Sequence, residues 1–411
     1  MMTRRVFLKN GSLALVSLGF APAFISRTVQ AAQAKQKVLI AIFQRGAVDG
    51  LNMIVPFGEK AYYQARPSIA IPMPNVNDGA IDLDGFFGLH PRMASLAPLF
   101  QRGELAIVHA CGSPDETRSH FDAQDYMESG TPGVKSTRDG WMNRYLHAKE
   151  HAAASPFRAV SLTTELPRSL QGSAPALAIN QINQFGIRAG RGSDALQSTF
   201  ESEYAQAADS LLTSTGREAF DAVKMLKGTD AANYAPAAGA EYPKSGFGDA
   251  IKQIAQLIKS NLGLEVAFTE LSGWDHHVNE GSSTGQIAAR LDDFAKGIAA
   301  FSADMGDAMA DVVLVTMSEF GRAVKENGNR GTDHGHGNAM MILGGPVKGG
   351  KVYGKWPGLQ PEQLWERRDL AITTDFRDVF AEVVTGHLGA TDISKIFPGY
   401  AYKGRLGFLR A

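Results

Sequence analysis

The stretch KVLIAIF, Lys37 to Phe43, is a short, continuous apolar run without a helical period. Such a run reads as a strand buried on both faces, as central strands of parallel sheets are. QRGAVDGLN, Gln44 to Asn52, closes it, so Asp49 falls in the loop at the strand's carboxyl end. Ligands bind at that edge in open α/β sheets. Taken alone, Asp49 also reads as a turn or cap residue, because Asp-Gly is an ordinary turn signal.

The same pattern recurs along the chain. ELAIVH (Glu104 to His109), LEVAFTEL (Leu264 to Leu271), DVVLVTM (Asp311 to Met317) and the run Ala339 to Leu343 read as further strands, and residues 157–162 and 174–179 look extended. Helical periods fill the intervals: His90 to Phe100 with a kink at Pro98, a helix begun at residues 139–146, and others over 197–226, 247–262, 284–309 and 376–388. Residues 228–244, rich in Ala, Pro, Gly and Tyr, read as a loop. Strands alternating with helices predict an α/β fold on a mostly parallel sheet, with no internal repeat and no domain boundary.

The N-terminus reads differently. Thr3-Arg4-Arg5-Val6-Phe7-Leu8-Lys9 precedes an apolar run from Gly11 to Ile25, and small residues follow at 29–31 and 32–34. This pattern predicts a twin-arginine export signal over residues 1–34, a single domain over 35–411, the Tat export machinery as a partner, and a periplasmic or secreted product. The apolar run is short and carries Pro22, which argues against a stable membrane anchor. Without residues 1–34 the chain holds 37 Lys+Arg and 42 Asp+Glu, a net charge of −5. That balance gives no electrostatic case for nucleic acid or anionic lipid. A single cysteine, Cys111, excludes an intrachain disulfide, so stability rests on the 44% hydrophobic composition, with metal as a further contributor.

Residues that carry chemistry cluster at the expected strand ends. Asp49 follows the first strand; Thr117, Arg118, Ser119 and His120 follow the second; Asp275, His276 and His277 follow LEVAFTEL; Glu319 follows DVVLVTM. GTDHGHGN, Gly331 to Asn338, precedes the last strand and offers Asp333, His334 and His336 between glycines that let the backbone fold tightly. Five of the ten histidines fall in this set, and their gathering at one sheet edge predicts an active site. Carboxylates mixed with imidazoles suit zinc first, with manganese, iron or calcium as alternatives. A pair of such ions about 3.5–4 Å apart would activate a hydroxyl or a water and screen an anionic ester. Thr117 and Ser119 are the hydroxyl candidates, although a hydroxyl opening a helix is normally an N-cap. Arg45, Arg118 and Arg322 flank these segments and are candidate clamps for anionic oxygens, Arg118 first.

The segments at Arg45 to Asn52, Ser113 to Asp125, Gly273 to His277, Ser318 to Arg322 and Thr332 to Gly337 resemble the DUF1501 family, in order and over nearly the whole chain after the leader. That family is placed with alkaline phosphatase-like and sulfatase-like proteins, and twin-arginine signals are common in it. The resemblance implies a three-layer α/β/α sandwich with a mostly parallel central sheet. It further implies Asp49 as the strand-end ligand of one metal site, Asp333 with His334 as that site's pair, and Asp275 with His277 as the pair for a second. His276 stands where relatives often carry a non-ligating residue; the resemblance supplies no match for the third histidine of the second site, for which His336 is the candidate, and Glu319 joins the ligand set from its strand-end position. Ser119 or Thr117 would hold the nucleophile position, with Arg118 and His120 beside it. The sulfatase cysteine signature is absent around Cys111.

Two functions follow. One is an exported metal-dependent hydrolase of phosphate or sulfate esters, acting on an anionic small molecule or polysaccharide through a Ser/Thr hydroxyl or a metal-bound water. The other is an exported metal- or carbohydrate-binding protein that keeps the fold without turnover.

Overall fold

The computed structural model describes residues 14–16, 36–149, 155–182, 222, 225 and 234–410. Arg4, Arg5 and most of the expected leader lie outside these residues, as do nearly all of the helix expected over 197–226 and the start of the 228–244 loop.

The main sheet contains β1 (Val38–Arg45), β2 (Leu105–Gly112), β3 (Ala159–Ser161), β4 (Leu177–Ile179), β5 (Val266–Ser272), β6 (Val312–Met317), β7 (Asn338–Gly344), β8 (Lys351–Tyr353) and β9 (Thr374–Asp375). Their spatial order is β4-β3-β5-β1-β6-β7-β2-β8, with β9 beside β2 and Ala14–Val16 antiparallel to β4 at the edge. β1 is central, as KVLIAIF requires, and pairs in parallel with β5 and β6. β7 alone among β1–β9 runs against its neighbours. That reversal places the start of β7 at the edge where β1, β2, β5 and β6 end, and so delivers the Gly331–Gly337 loop to the other strand-end loops.

Alternation along β1 explains the layers. Val38, Ile40 and Ile42 pack with α3 (Gly246–Lys259) and α4 (Gln286–Met305), whereas Leu39, Ala41 and Phe43 pack with α2 (Trp141–Ala148) and α5 (Phe376–Gly386). Helices thus cover both faces, and the fold is a three-layer α/β/α arrangement. Phe43 is fully buried, and truncating such a ring costs about 3–5 kcal/mol. Ser245 caps α3 by accepting the Gly248 N–H at 3.0 Å, and Asp375 caps α5 by accepting that of Arg377 at 2.9 Å. α1 (His120–Ser129) follows β2 through the polar loop and stops at Gly130, left-handed at φ 68°.

Three expectations change. The helix over 284–309 ends at Met305, because Gly306 turns left-handed at φ 50° and a 3-10 turn, Gly306–Asp311, follows. The helix over 90–100 divides into a 3-10 turn, Pro91–Leu96, and a helical turn, Ala97–Gln101, with the non-helical backbone at Met93 and Pro98 inside the first turn of the second piece. A small antiparallel sheet of Ile54–Val55, Gly88–Leu89 and Ile81–Asp82, together with β8 and β9, went unread because each piece is too short to show a period. Among the described residues, no helix is long and apolar enough to cross a membrane.

Candidate metal centre

Asp275, in the loop after β5, stands among three imidazoles. His277 Nε2 lies 3.0 Å and His334 Nε2 3.3 Å from its Oδ1, while His120 Nε2 lies 3.4 Å from its Oδ2. His277 Nε2 and His334 Nε2 are 3.0 Å apart. Ligand atoms of His120, Asp275 and His334 all fall within 4.8 Å of one another, the spacing a single cation spans.

What fixes these rings is the partner of each Nδ1. His120 Nδ1 meets the buried Glu319 Oε1 at 2.9 Å, His277 Nδ1 meets Asp333 Oδ1 at 3.3 Å, and His334 Nδ1 meets the Arg118 carbonyl at 2.8 Å. Each partner is an oxygen acceptor, so the network assigns the proton to Nδ1 and leaves the Nε2 lone pair facing Asp275. Carboxylates and carbonyls behind ligating imidazoles are the usual outer support of a metal site. The buried Nε2 of His120 has no hydrogen-bond partner. The two Nε2 atoms of His277 and His334, 3.0 Å apart beside Asp275, require a proton or a cation between them. The residues therefore fit a divalent cation.

Electrostatics treat the rings differently. Burial first, then His120 and Arg322, hold His334 below the ordinary imidazole range, so its ring is neutral. The hydrogen bond to Glu319 outweighs burial and raises His120. Burial alone would raise Glu319, but His120, Gln124 and the Gly46 N–H lower it. Asp275 follows the same logic: burial pushes it up, and the Arg322 guanidinium, then His277 and His120, bring it below the usual carboxylate range.

Close backbone packing explains two of the glycines. A Cβ on Gly335 would sit 2.3 Å from the Arg322 carbonyl carbon, and one on Gly331 would sit 2.4 Å from that of His277. Only glycine lets these loops approach so closely.

The structure separates the remaining sequence candidates. Glu319 and Asp333, expected as ligands, stand one layer out as the acceptors for His120 and His277. Asp49 lies apart: it is buried, caps Gly50–Met53 through the Leu51 N–H at 3.1 Å, and gives both oxygens to Arg66. Burial would raise Asp49, but Arg66 overrides it and holds the carboxylate ionised. A guanidinium thus pairs with both oxygens of the carboxylate expected to bind a metal. His336 is buried against Trp365, ring centroids 5.0 Å apart, and burial lowers it to about 4. His276 is also buried, its ring centroid 6.5 Å from that of Trp274, and burial lowers it to about 4.

Ser119 is the N-cap residue of α1, yet its side chain makes no capping bond. Thr117 Oγ1 accepts the Ser119 N–H at 3.2 Å. Arg118 Nη2 pairs with Glu366 at 2.6 Å and Asp369 at 2.8 Å, while its Nε is buried without a partner. Arg45 is held by Glu270, Gln124 and Glu128.

Sequence reasoning missed three contributors. Arg66 carries no local motif, Glu280 lies beyond the histidine pair and is pushed up by burial and by Asp49, and Phe320 packs 5.0 Å from the His120 ring and 4.9 Å from the His334 ring. Position within the SEFGR motif was the only sign available for Phe320.

The sequence pattern of a family described as "Protein of unknown function (DUF1501)" matches residues 36–396. The chain belongs to the DUF1501 family. All five motifs noted above lie inside that match. No curated protein matches the chain. Among solved structures, the chain is similar to the PsFucS1 sulfatase from Pseudoalteromonas sp., at 12% identity over 93% of this chain and 74% of that one, TM-score 0.39. It is also similar to the C-terminal periplasmic domain of EptC from Escherichia coli, in complex with Zn, at 10% identity over 76% and 74%, TM-score 0.33. A third is the phosphonate monoester hydrolase of Agrobacterium radiobacter, at 9% identity over 90% and 79%, TM-score 0.34.

Proposed function

We propose that this protein is an exported hydrolase of phosphate or sulfate esters that works with one divalent cation held by His120, His277, His334 and Asp275. The observation that carries the proposal is the common orientation of the three imidazoles, each Nδ1 tied to an oxygen and each Nε2 turned to Asp275. Three nitrogens and one carboxylate oxygen suit zinc first, then iron or manganese, and suit calcium least. When bound, the cation supplies Lewis acidity and neutralises ester oxygens.

The chain's own groups supply the rest. Ser119 Oγ, free of a capping bond at the start of a ten-residue helix, is the hydroxyl we assign as nucleophile; the partial positive charge of a helix N-terminus favours an anion there. Thr117 takes second place because its hydroxyl already supports the Ser119 N–H. Arg118 directly precedes Ser119, and its part-exposed guanidinium is the group we assign to an anionic ester oxygen, in competition with Glu366 and Asp369. Glu319 keeps the His120 proton on Nδ1.

A second reading, a cation- or carbohydrate-binding protein without turnover, draws on the three candidate arginines, since Arg45, Arg118 and Arg322 are all paired with internal acceptors. A panel of aryl phosphate and sulfate esters, run on zinc-loaded protein, separates the two. Turnover that Ser119→Ala abolishes supports the hydrolase; tight zinc binding with no turnover on any ester supports the binding protein.

A further inference from the structure

Arg322 joins three loops that arrive from different parts of the chain. Its Nε donates to the Ala47 carbonyl at 2.7 Å, its Nη1 to the Thr332 carbonyl at 3.1 Å, and its Nη2 to the carbonyls of Gly46 and of Trp274, the latter at 3.1 Å. Nη2 also donates to Asp275 Oδ1 at 2.6 Å. The Arg322 side chain is 0% exposed, so its bonds to the buried carbonyls are made out of competition with water, while the Asp275 carboxylate that it also meets is 44% exposed. Ala47 belongs to the loop after β1, Trp274 and Asp275 to the loop after β5, and Thr332 to the segment that leads into His334.

We propose that Arg322 is a positioning residue, which assembles the cation site before any cation arrives by pinning these loops and aiming the Asp275 carboxylate. This rests on the metal reading given above. The planar fork explains why arginine is needed. Five N–H donors in one rigid plane reach acceptors on three segments at once, whereas an ammonium is a compact point charge on a flexible stem. The Arg322–His334 backbone bridge, with the Ala323 N–H donating to the Asp333 carbonyl at 2.9 Å, couples the same residue to the histidine loop through its main chain. Nη2 also brings positive charge to Oδ1, the oxygen that His277 and His334 face. Asp275 is thereby oriented toward the three rings.

The test uses Co2+ as the probe. In Arg322→Lys, which keeps the charge and loses the fork, Co2+ affinity should fall at least tenfold, and the visible spectrum should lose the intensity of a low-coordinate site. Affinity and spectrum within twofold of the wild type, in folded Arg322→Lys, would overturn the proposal. Hydrogen–deuterium exchange on the wild type keeps the test open if that variant does not fold. Peptides covering residues 46–49, 274–277 and 332–336 should be protected in metal-free protein and change little on adding Co2+. Free exchange that becomes protected only with Co2+ would show that the cation, not Arg322, assembles the loops. Wild type that binds no Co2+ at all would remove the metal reading instead, and the exchange of the metal-free loops would still decide for or against Arg322.

Discussion

Acidification should unfold this protein through five buried histidines that the metal site does not use. His90, His109, His276, His336 and His387 are each 7% exposed or less. Burial lowers each from an ordinary 6.5 to about 4. Three donate Nε2–H to backbone carbonyls in their neutral form: His90 to Ser282 at 3.0 Å, His109 to Ile54 at 3.1 Å and His387 to Val38 at 3.0 Å. A group whose folded pKa is depressed contributes stability above its unfolded pKa and loses it as pH falls, here from 6.5 toward 4. At pH 5 each ring is about 1.5 pH units below its unfolded value, a loss of about 2 kcal/mol per ring. All five together lose on the order of 10 kcal/mol, comparable with the whole stability of about 5–15 kcal/mol of a folded domain. The depressed carboxylates, Asp49 and Glu319 among them, add their loss only at lower pH. His120 and Glu280 run the other way: both are held above their ordinary values, so their contribution is present in acid and declines as pH rises. The assay is urea unfolding of chelator-treated protein at pH 7, 6 and 5, followed by circular dichroism. Stability should fall steeply across this window, with a slope approaching five protons taken up on unfolding, and the acid midpoint should lie above pH 4. Equal unfolding free energies at pH 7 and pH 5 would refute the reasoning.

Other substitutions bear on the site more directly. Glu319→Gln weakens the acceptor that fixes the His120 ring, so cation affinity should drop by about 10- to 100-fold, as for other outer partners of ligating histidines; a Co2+ titration reads it. Ser119→Ala should abolish ester turnover and leave Co2+ affinity unchanged, measured side by side on one preparation. Asp49→Asn breaks the buried pair with Arg66 and should cost about 3–5 kcal/mol in urea unfolding, while the number of cations bound per chain stays the same.

Much of this arrangement was legible in the sequence. KVLIAIF announced a strand buried on both faces, and the observed alternation of Val38, Ile40 and Ile42 against Leu39, Ala41 and Phe43 bears that out. The loops after β1, β2, β5 and β6 do meet at one edge, together with the Gly331–Gly337 loop. What the sequence left hidden was which atom each side chain offers. His120 read as a neighbour of the hydroxyls, yet its Nε2 faces Asp275; Glu319 and Asp333 read as ligands, yet each stands behind an imidazole. Composition and spacing place a carboxylate near a site but do not say whether it faces the centre or the ring that does. Asp49 shows the same limit more sharply. Its strand-end position is the one expected, but Arg66, 17 residues later on the chain, claims both of its oxygens. A guanidinium arriving from a separate helical turn leaves no local pattern to read.

Metal content of the folded protein tests the central claim most directly. Wild type, freed of metal by chelation and re-exposed to zinc, should bind one equivalent per chain by elemental analysis. His120→Ala, His277→Ala and His334→Ala should each bind far less, and His336→Ala should bind as wild type does. No bound zinc, or a full equivalent retained in all three of the first set of variants, would contradict the assignment of the site.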